Sequence, residues 1–311
     1  MPELSVNGRT WAVTAGANLL DALRAGGVVV PSSCRAGHCQ SCRVRCISGQ
    51  PVDLQPQALL AAERAEGWRL ACQCQVVEPL VVAPYDPAVD GVPARVSELT
   101  WLSPGVLRLR VQPQRPLRYQ PGQHVVVWSP NGVARPYSLA SQPNAAPWLE
   151  FHVQCARPGA FVNVARHLRV GDPLVLGKVA GGALYYDPAW AAQPLWLLAS
   201  GTGLAPLWAI LHQALAAGHE GSIRVVHSAQ AGEHYLADAL EHLAKTYPAL
   251  QVDLCAPGAA LAGSRPSRST MALACGSPRA VEGFARQLFM AGVPRGQMLT
   301  EAFETGPPPG A

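Results

Sequence analysis

The run Cys34-Arg35-Ala36-Gly37-His38-Cys39-Gln40-Ser41-Cys42 places three thiols at C-x4-C-x2-C, and a fourth, Cys72 or Cys74, stands well downstream. This spacing is that of [2Fe–2S] ligation, in which two irons share four thiolates. A short loop wraps three thiolates around one side of such a cluster, so the last must arrive from elsewhere in the fold. Gly37, with small Ala36 and Ser41, lets backbone N–H groups approach the cluster sulfurs and stabilise their negative charge. Zinc fits less well, because structural zinc sites use two short Cys/His pairs and Cys72-Gln73-Cys74 is too tight for one. Cys46 reads as a small buried apolar residue.

Composition sets the scale. The 311 residues allow two or three domains, and 49% hydrophobic against 14% charged residues supply ample core. No apolar run approaches the ~20 residues of a membrane helix; the stretch 204–217 comes closest and is broken by His212 and Gln213. A net charge of +4 without a basic tract gives no footprint for nucleic acid. Met1-Pro2-Glu3 starts no export signal, so the nine cysteines are expected as thiols and ligands in a reducing cytoplasm.

Along the chain, residues 3–6 and 9–13 read as strands joined by the hairpin turn Asn7-Gly8. Leu19, Leu20 and Leu23 share a helical face that Gly26-Gly27 can end. The region closes near Val82, and the proline-bearing stretch 84–93 reads as a linker. From Ala94 short strands follow. Leu107, Leu109 and Val111 alternate with Arg108 and Arg110, a Pro121-Gly122 turn precedes 124–128, and 149–153 is another strand, which together predict a small antiparallel barrel. From Gln193 strands at 195–199, 223–226, 252–254 and 271–275 alternate with helices to Ala217 and over 236–244, the pattern of a doubly wound α/β domain. The tail 306–311 reads as disordered.

Two further motifs bear on chemistry. Arg135-Pro136-Tyr137-Ser138 lies in the barrel region, and Ser200-Gly201-Thr202-Gly203-Leu204-Ala205-Pro206 follows an apolar strand and opens a helix. Glycines there let backbone approach a pyrophosphate, the helix N-terminus favours the anion, and Pro206 suits a first helical turn. The first motif resembles the flavin-binding R-x-Y-S, and the second the G-T-G-x-A-P, of the ferredoxin–NADP reductase superfamily. The resemblance implies that Arg135 neutralises a flavin phosphate, that Tyr137 stacks on the isoalloxazine beside Pro136, and that Ser138 hydrogen-bonds N5. It implies that Gly201, Thr202, Gly203 and Pro206 hold the nucleotide. Cys275-Gly276-Ser277-Pro278 resembles the nicotinamide motif, and Glu301-Ala302-Phe303 the stretch whose aromatic lies beside the flavin. Ser138, Cys275 and Phe303 are thus the expected catalytic residues. The N-terminal segment resembles plant-type ferredoxins of β-grasp fold, and Leu70-Ala71-Cys72-Gln73 resembles their last-ligand motif, which implies Cys34, Cys39, Cys42 and Cys72 as ligands with Cys74 the close rival.

The whole is similar to the NADH-dependent iron–sulfur flavoprotein reductases of bacterial oxygenases. The expected chain is α+β and multidomain: a β-grasp ferredoxin domain over 1–90, an antiparallel flavin barrel over 91–190 and a doubly wound nucleotide domain over 191–311. Its cofactors would be a [2Fe–2S] cluster, FAD and NADH, and its partner a terminal oxygenase. The alternatives are an electron-transfer or redox-sensing module with weak nucleotide turnover and a reductase serving a deoxysugar dehydratase. Three departures from the family pattern stand out. Val162 replaces a serine in Gly159-Ala160-Phe161-Val162, which leaves backbone N–H groups near Asn163 for phosphate. Lys178-Val179-Ala180-Gly181-Gly182 replaces a G-P-x-G stretch, and the segment 257–270 is shorter than the family's loop and helix. NADH is preferred over NADPH because His227-Ser228-Ala229-Gln230 carries no arginine for a 2′-phosphate, although Arg265 and Arg268 stand in the shortened segment. Arg35, Arg43 and Arg45 read as a basic rim for an acidic partner.

Overall fold

In the ferredoxin sheet the strands run, in spatial order, Arg9–Ala12, Glu3–Val6, Leu80–Pro84, Arg43–Ser48 and Trp68–Leu70. A computed structural model of the chain describes residues 1–259, 261 and 265–304; the tail 306–311 and positions 260 and 262–264 of the shortened segment lie outside the described residues. Leu4 and Val6 point inward from the first strand and meet the helix Leu19–Ala25, whose Leu19, Leu20 and Leu23 are fully buried. Asn18 caps that helix by accepting the Asp21 N–H at 3.4 Å. Its amide also donates to the Cys72 carbonyl at 2.9 Å, so one helix start braces the downstream cysteine. A small sheet of Ala17–Asn18, Cys74–Val76 and Val52–Asp53 completes this unit.

The stretch 84–93 is not a free linker, contrary to its reading from sequence. Asp86 caps the short helix Pro87–Asp90 by accepting the Ala88 N–H at 2.9 Å, with Pro87 suited to the first helical position. Tyr85 stacks on Trp128 of the barrel at 5.7 Å and 18°. The strand Val92–Ser103 begins directly afterwards.

The barrel sheet orders Ala134–Ser138, His124–Trp128, Pro173–Ala180, Val92–Ser103, Val106–Pro113 and Leu149–Gln154, all antiparallel. Its two edges are joined where the Ala140 N–H donates to the Glu150 carbonyl at 2.8 Å. Leu107, Leu109 and Val111 face the core, while Arg108 and Arg110 face outward onto Glu98, each at 2.6 Å.

The last sheet is parallel, ordered Leu250–Cys255, Ile223–Ser228, Leu195–Ser200, Met271–Gly276 and Met298–Ala302. Leu195 and Leu197 pack with Leu207, Ile210 and Leu240 of the helices Leu204–Ala216 and Ala237–Thr246. Trp196 and Leu198 face the other side, onto Phe284 and Leu288 of the helix Pro278–Met290. Both faces are covered, which is why the central strand reads as a continuous apolar run. Its neighbours lead in opposite directions along the sheet, so the crevice at its carboxyl end is a topological switch point, where ligands bind in such folds. Among the described residues no helix is long and apolar enough to cross a membrane.

Candidate active site and cluster loop

The cysteines of the loop come as two pairs. Cys34 and Cys39 stand 3.3 Å apart at sulfur, and the thiols of Cys42 and Cys72 are in hydrogen-bond contact. Among the described residues no three Cys, His, Asp or Glu side chains converge on a single ion. Two pairs suit a dinuclear cluster, with two thiolates to each iron, better than one metal ion. Donation from Cys34 pulls the Cys39 thiol down, and donation from Cys42 pulls the Cys72 thiol down. Backbone donors face the sulfurs: the N–H groups of Ala36 and Cys39 reach Cys34 Sγ at 3.3 and 3.4 Å, and that of Cys34 reaches Cys39 Sγ at 3.5 Å. Arg35 and Gln40 hold left-handed backbone at φ 55° and 52°, a conformation non-glycine residues keep only when their surroundings enforce it. Those surroundings are visible. Gln73 donates to the Arg35 carbonyl at 2.8 Å, Gln40 to the Ala58 carbonyl at 2.7 Å, and Arg43 to Gln40 at 2.7 Å.

Cys74 lies elsewhere. It starts the strand Cys74–Val76, opposite Asp53, fully buried in the ferredoxin core, and burial pushes its thiol far up. Cys46 is half-buried against the same core. The basic rim is corrected at one member. Arg43 is 5% exposed and ion-paired to Glu63 at 2.8 Å, while Arg35 pairs with Asp21 and Arg45 donates to the Glu66 carbonyl.

Between the three units lies a cleft of about 1240 Å³ bordered by Cys34, Cys39, Arg135, Tyr137, Ser138, Thr202 and Phe303 among others. That exceeds the ~300–1,000 Å³ of an ordinary small-molecule pocket and suits two large cofactors together. Arg135 has no carboxylate partner among the described residues; its guanidinium donates only to the Ala134 carbonyl. Tyr137 rests its ring against Phe161 at 5.0 Å, and burial pushes its phenol up. Pro136 and Ser138 border the same cleft.

At the switch point the two nucleotide motifs touch. A Cβ on Gly203 would strike the Cys275 carbonyl, and one on Gly276, at φ +140°, would come within 2.6 Å of Ser200. Both glycines therefore let the two strand ends approach closely. Thr202 and Ala205 reach the cleft, whereas Pro206 is buried in the first turn of its helix. The Gly201 carbonyl accepts from His227 Nε2 at 3.1 Å; burial holds that imidazole down at about 4, so it is neutral and able to donate with one nitrogen. Phe303 borders the cleft, with its N–H on the Gly276 carbonyl at 2.7 Å.

Of the residues expected to hold flavin or nucleotide, Asn163, Gly201, Gly203, Pro206, Cys275 and Gly276 are not on the cleft wall. The Cys275 thiol is fully buried in the apolar core with Leu197 and Leu273, so its side chain packs there. Asn163 is exposed and spends its N–H on the Gly159 carbonyl at 2.9 Å. The helix N–H groups that precede the first helical hydrogen bond belong to Ala160, Phe161 and Val162, all three on the cleft wall. Conversely, His124 and His152 border the cleft without having been singled out, and so does Glu301, whose motif was given a role only at Phe303. Among the described residues Glu301 Oε2 has no hydrogen-bond partner, and burial raises its carboxyl to about 7. A lone acid or histidine inside a strand carries no sequence signal that separates cleft from core.

Three families match in series: a 2Fe-2S iron-sulfur cluster binding domain over residues 4–77, an oxidoreductase FAD-binding domain over 93–185 and an oxidoreductase NAD-binding domain over 197–265. The naphthalene 1,2-dioxygenase system ferredoxin–NAD(P)+ reductase component of Pseudomonas putida is 30% identical, covering 96% of this chain and 97% of its own. This chain belongs to the ferredoxin–NAD(P)+ reductase components of oxygenase systems. Another such reductase is the aromatic O-demethylase reductase subunit of an Amycolatopsis species, 30% identical over 79% of this chain and 77% of that one. The Amycolatopsis cytochrome P450 reductase GcoB superposes with a TM-score of 0.67 at 26% identity, over 97% of this chain and 99% of that chain. The reductase described here thus carries [2Fe–2S], FAD and NAD binding domains in one chain.

Proposed function

We propose that this reductase passes electrons from NADH through FAD at the Arg135–Ser138 cleft to a cluster held by Cys34, Cys39, Cys42 and Cys72, and from there to a terminal oxygenase. The observation that carries the reading is the common cleft, whose wall includes cluster-loop, flavin-strand and nucleotide-loop residues together. Bound flavin supplies the conversion between a two-electron hydride and a one-electron acceptor. Arg135 offers the fork for a phosphate, and the N–H groups of Ala160, Phe161 and Val162 offer further donors where a serine is missing. Tyr137 walls the cleft, Ser138 borders it, and Thr202 faces it beside the strand ends that Gly203 and Gly276 let approach. Phe303 shields the same cleft from the C-terminal strand. Residues 1–90, 91–190 and 191–311 are taken as the three working units. Nine free cysteines support a reducing compartment, the cytoplasm.

In the full chain, Cys39→Ser is expected to abolish the visible cluster bands and cytochrome c reduction while NADH-dependent ferricyanide reduction persists, since ferricyanide draws on flavin directly. Retention of full cytochrome c activity without a cluster would remove the cluster as exit. Loss of the bands in Cys74→Ser but not in Cys72→Ser would reassign the last ligand. NADH should exceed NADPH in kcat/KM, because Ser228, Ala229 and Gln230 offer a 2′-phosphate no cation at the end of the strand Ile223–Ser228. A higher value with NADPH would assign Arg265 or Arg268 that role.

A further inference from the structure

The strand Leu149–Gln154 turns its two faces to different neighbours. Leu149, Phe151 and Val153 pack in the barrel core, while Glu150 and His152 point the other way and His152 meets the nucleotide domain. The His152 side chain is fully buried, and both of its ring nitrogens are in use. Nε2 meets Glu150 Oε1 at 3.0 Å, and Nδ1 meets the Tyr235 hydroxyl at 3.1 Å. Those partners fix the tautomer. Arg110 pairs with Glu150 at 2.8 Å and keeps it a carboxylate, which can only accept. Nε2 therefore carries the hydrogen, and Nδ1 accepts from Tyr235. Burial pushes the Tyr235 phenol well up, so it keeps the proton it donates. Tyr235 lies between the strand Ile223–Ser228 and the helix Ala237–Thr246, and its ring stands edge-on to His227 at 5.5 Å. His227 Nε2 in turn donates to the Gly201 carbonyl at 3.1 Å. Four side chains in succession, Glu150, His152, Tyr235 and His227, thus join the barrel to the nucleotide loop.

The surroundings of this chain are apolar: Tyr235 packs with Ile210 and Leu240 of the nucleotide domain and Val106 of the barrel. A phenylalanine would fill that space equally well, so the hydroxyl has a purpose besides packing. Apolar contact is non-directional and lets two units slide, whereas a hydrogen bond fixes one distance and one angle. We propose that His152 and Tyr235 are positioning residues for hydride transfer, their hydrogen bond holding the nucleotide loop at Gly201 in register with the flavin strand Arg135–Ser138. The inference rests on the electron path proposed above and deepens it. Hydride transfer carries two electrons and one hydrogen nucleus from NADH, which leaves as NAD+, to the flavin. Its rate depends on how closely the two rings are brought together. The flavin motif belongs to the barrel and the glycine loop to the nucleotide domain, so that approach is set by the seam between them. His152 and Thr202 both border the cleft, which puts the bond beside the reacting space. A second polar contact of the seam, from Gln142 to the Ala209 carbonyl at 2.5 Å, reaches the middle of the helix Leu204–Ala216, and neither residue borders the cleft.

The test uses full-length Tyr235→Phe, His152→Leu, the double variant and Gln142→Met, with FAD and iron contents measured. Flavin reduction is followed after rapid mixing with saturating NADH, and hydrogen exchange is measured without nucleotide on the peptide spanning 200–206. Tyr235→Phe and His152→Leu are each expected to slow flavin reduction by about tenfold or more, the scale of a misplacement of about an ångström. The double variant should be no slower than the slower single, because both changes remove the same bond. Exchange in that peptide should rise in all three. Gln142→Met should match wild type in both readouts, since it loosens the seam away from Gly201. If His152→Leu fails to hold FAD, the pair Tyr235→Phe and Gln142→Met decides. Flavin reduction at the wild-type rate in Tyr235→Phe, equal slowing in Gln142→Met, a double variant slowed by the product of the singles, or unaltered exchange overturns the role of the bond. A wild-type chain whose FAD is not reduced by NADH would instead overturn the electron path itself.

Discussion

On its ferredoxin side the barrel presents Lys178 and Trp128; on its nucleotide side it presents His152 and the wall of the cleft. The first seam gathers charge. Glu63 of the ferredoxin unit accepts from Arg43 and from Lys178, each at 2.8 Å, and Arg43 lies over the Trp68 ring at 5.3 Å. Burial alone would raise the Glu63 carboxyl, but the hydrogen bonds from Lys178, Arg43 and the Leu60 N–H outweigh it and hold it at about 2. The second seam is held by neutral donors: the Tyr235 hydroxyl meets His152 Nδ1 at 3.1 Å, and Gln142 donates to the Ala209 carbonyl at 2.5 Å. Beside it Glu301 is half-buried, among the described residues its Oε2 has no hydrogen-bond partner, and desolvation raises its carboxyl to about 7. One residue type thus sits at opposite ends of its range. The satisfied glutamate locks a seam that has only to stay shut, and the unsatisfied one stands on the wall of the large cleft.

The largest break in that contrast is Glu63→Ala. It leaves Arg43 buried with only Gln40 and the Trp68 face, so a loss of about 3–5 kcal/mol is expected in urea unfolding at pH 7. Because the folded carboxyl lies below its ordinary value of 4.5, its contribution is fully present above that value and is lost as pH falls toward about 2. The difference between wild type and variant should therefore shrink on acidification through that window. A cost that stays constant from pH 6 to pH 3 would mean that Glu63 acts by packing.

Glu301→Gln sharpens the other side, with the opposite sign. The folded carboxyl keeps its proton up to about 7, whereas the unfolded chain releases it near 4.5. Stability is therefore lost as pH rises through that interval, and the neutral amide escapes the loss. The unfolding free energy of the variant relative to wild type, read in urea, should climb between pH 5 and pH 8 by an amount on the order of 2–3 kcal/mol. A flat difference across that range would show that Glu301 finds a partner in solution.

How far these seams could be read beforehand follows from what is local. The cluster loop was legible because three of the proposed ligand cysteines fall within nine residues at the spacing that [2Fe–2S] ligation uses. Cys72 and Cys74 stayed rivals because residues two apart in a strand share a face. Here the turn Ala71–Gln73 breaks that alternation, leaving Cys72 beside Cys42 and Cys74 in the core. The central strand of the nucleotide sheet and its first helix were legible from one apolar run and one glycine loop. The long barrel strand Val92–Ser103 was not, because register shifts against Val106–Pro113 break its alternation. Arg43 looked like a surface charge because its partner Glu63 is distant in sequence, and the same distance hid the reason for Lys178.

Lys178 was a departure in a flavin-site motif and proves to serve the ferredoxin seam, where its ammonium reaches Glu63 Oε1, the same oxygen that Arg43 holds. Its side chain is 49% exposed, whereas those of Arg43 and Glu63 are 5% and 7% exposed. Water and salt therefore screen the lysine's share of the triad far more than the arginine's. Lys178→Met keeps the stem that packs on the seam and removes only the charge. It should cost about 0.2–1 kcal/mol in urea unfolding at low ionic strength, the range of solvent-exposed ion pairs. Raising salt well above the physiological level should erase most of that difference, since exposed charges are screened over ~10 Å or less. The cost of Glu63→Ala should change little under the same salt, because the pair it breaks is buried. If the lysine variant instead loses as much as the glutamate variant, and salt does not diminish the loss, the seam closes on both cations equally and the contrast between an exposed and a buried partner fails.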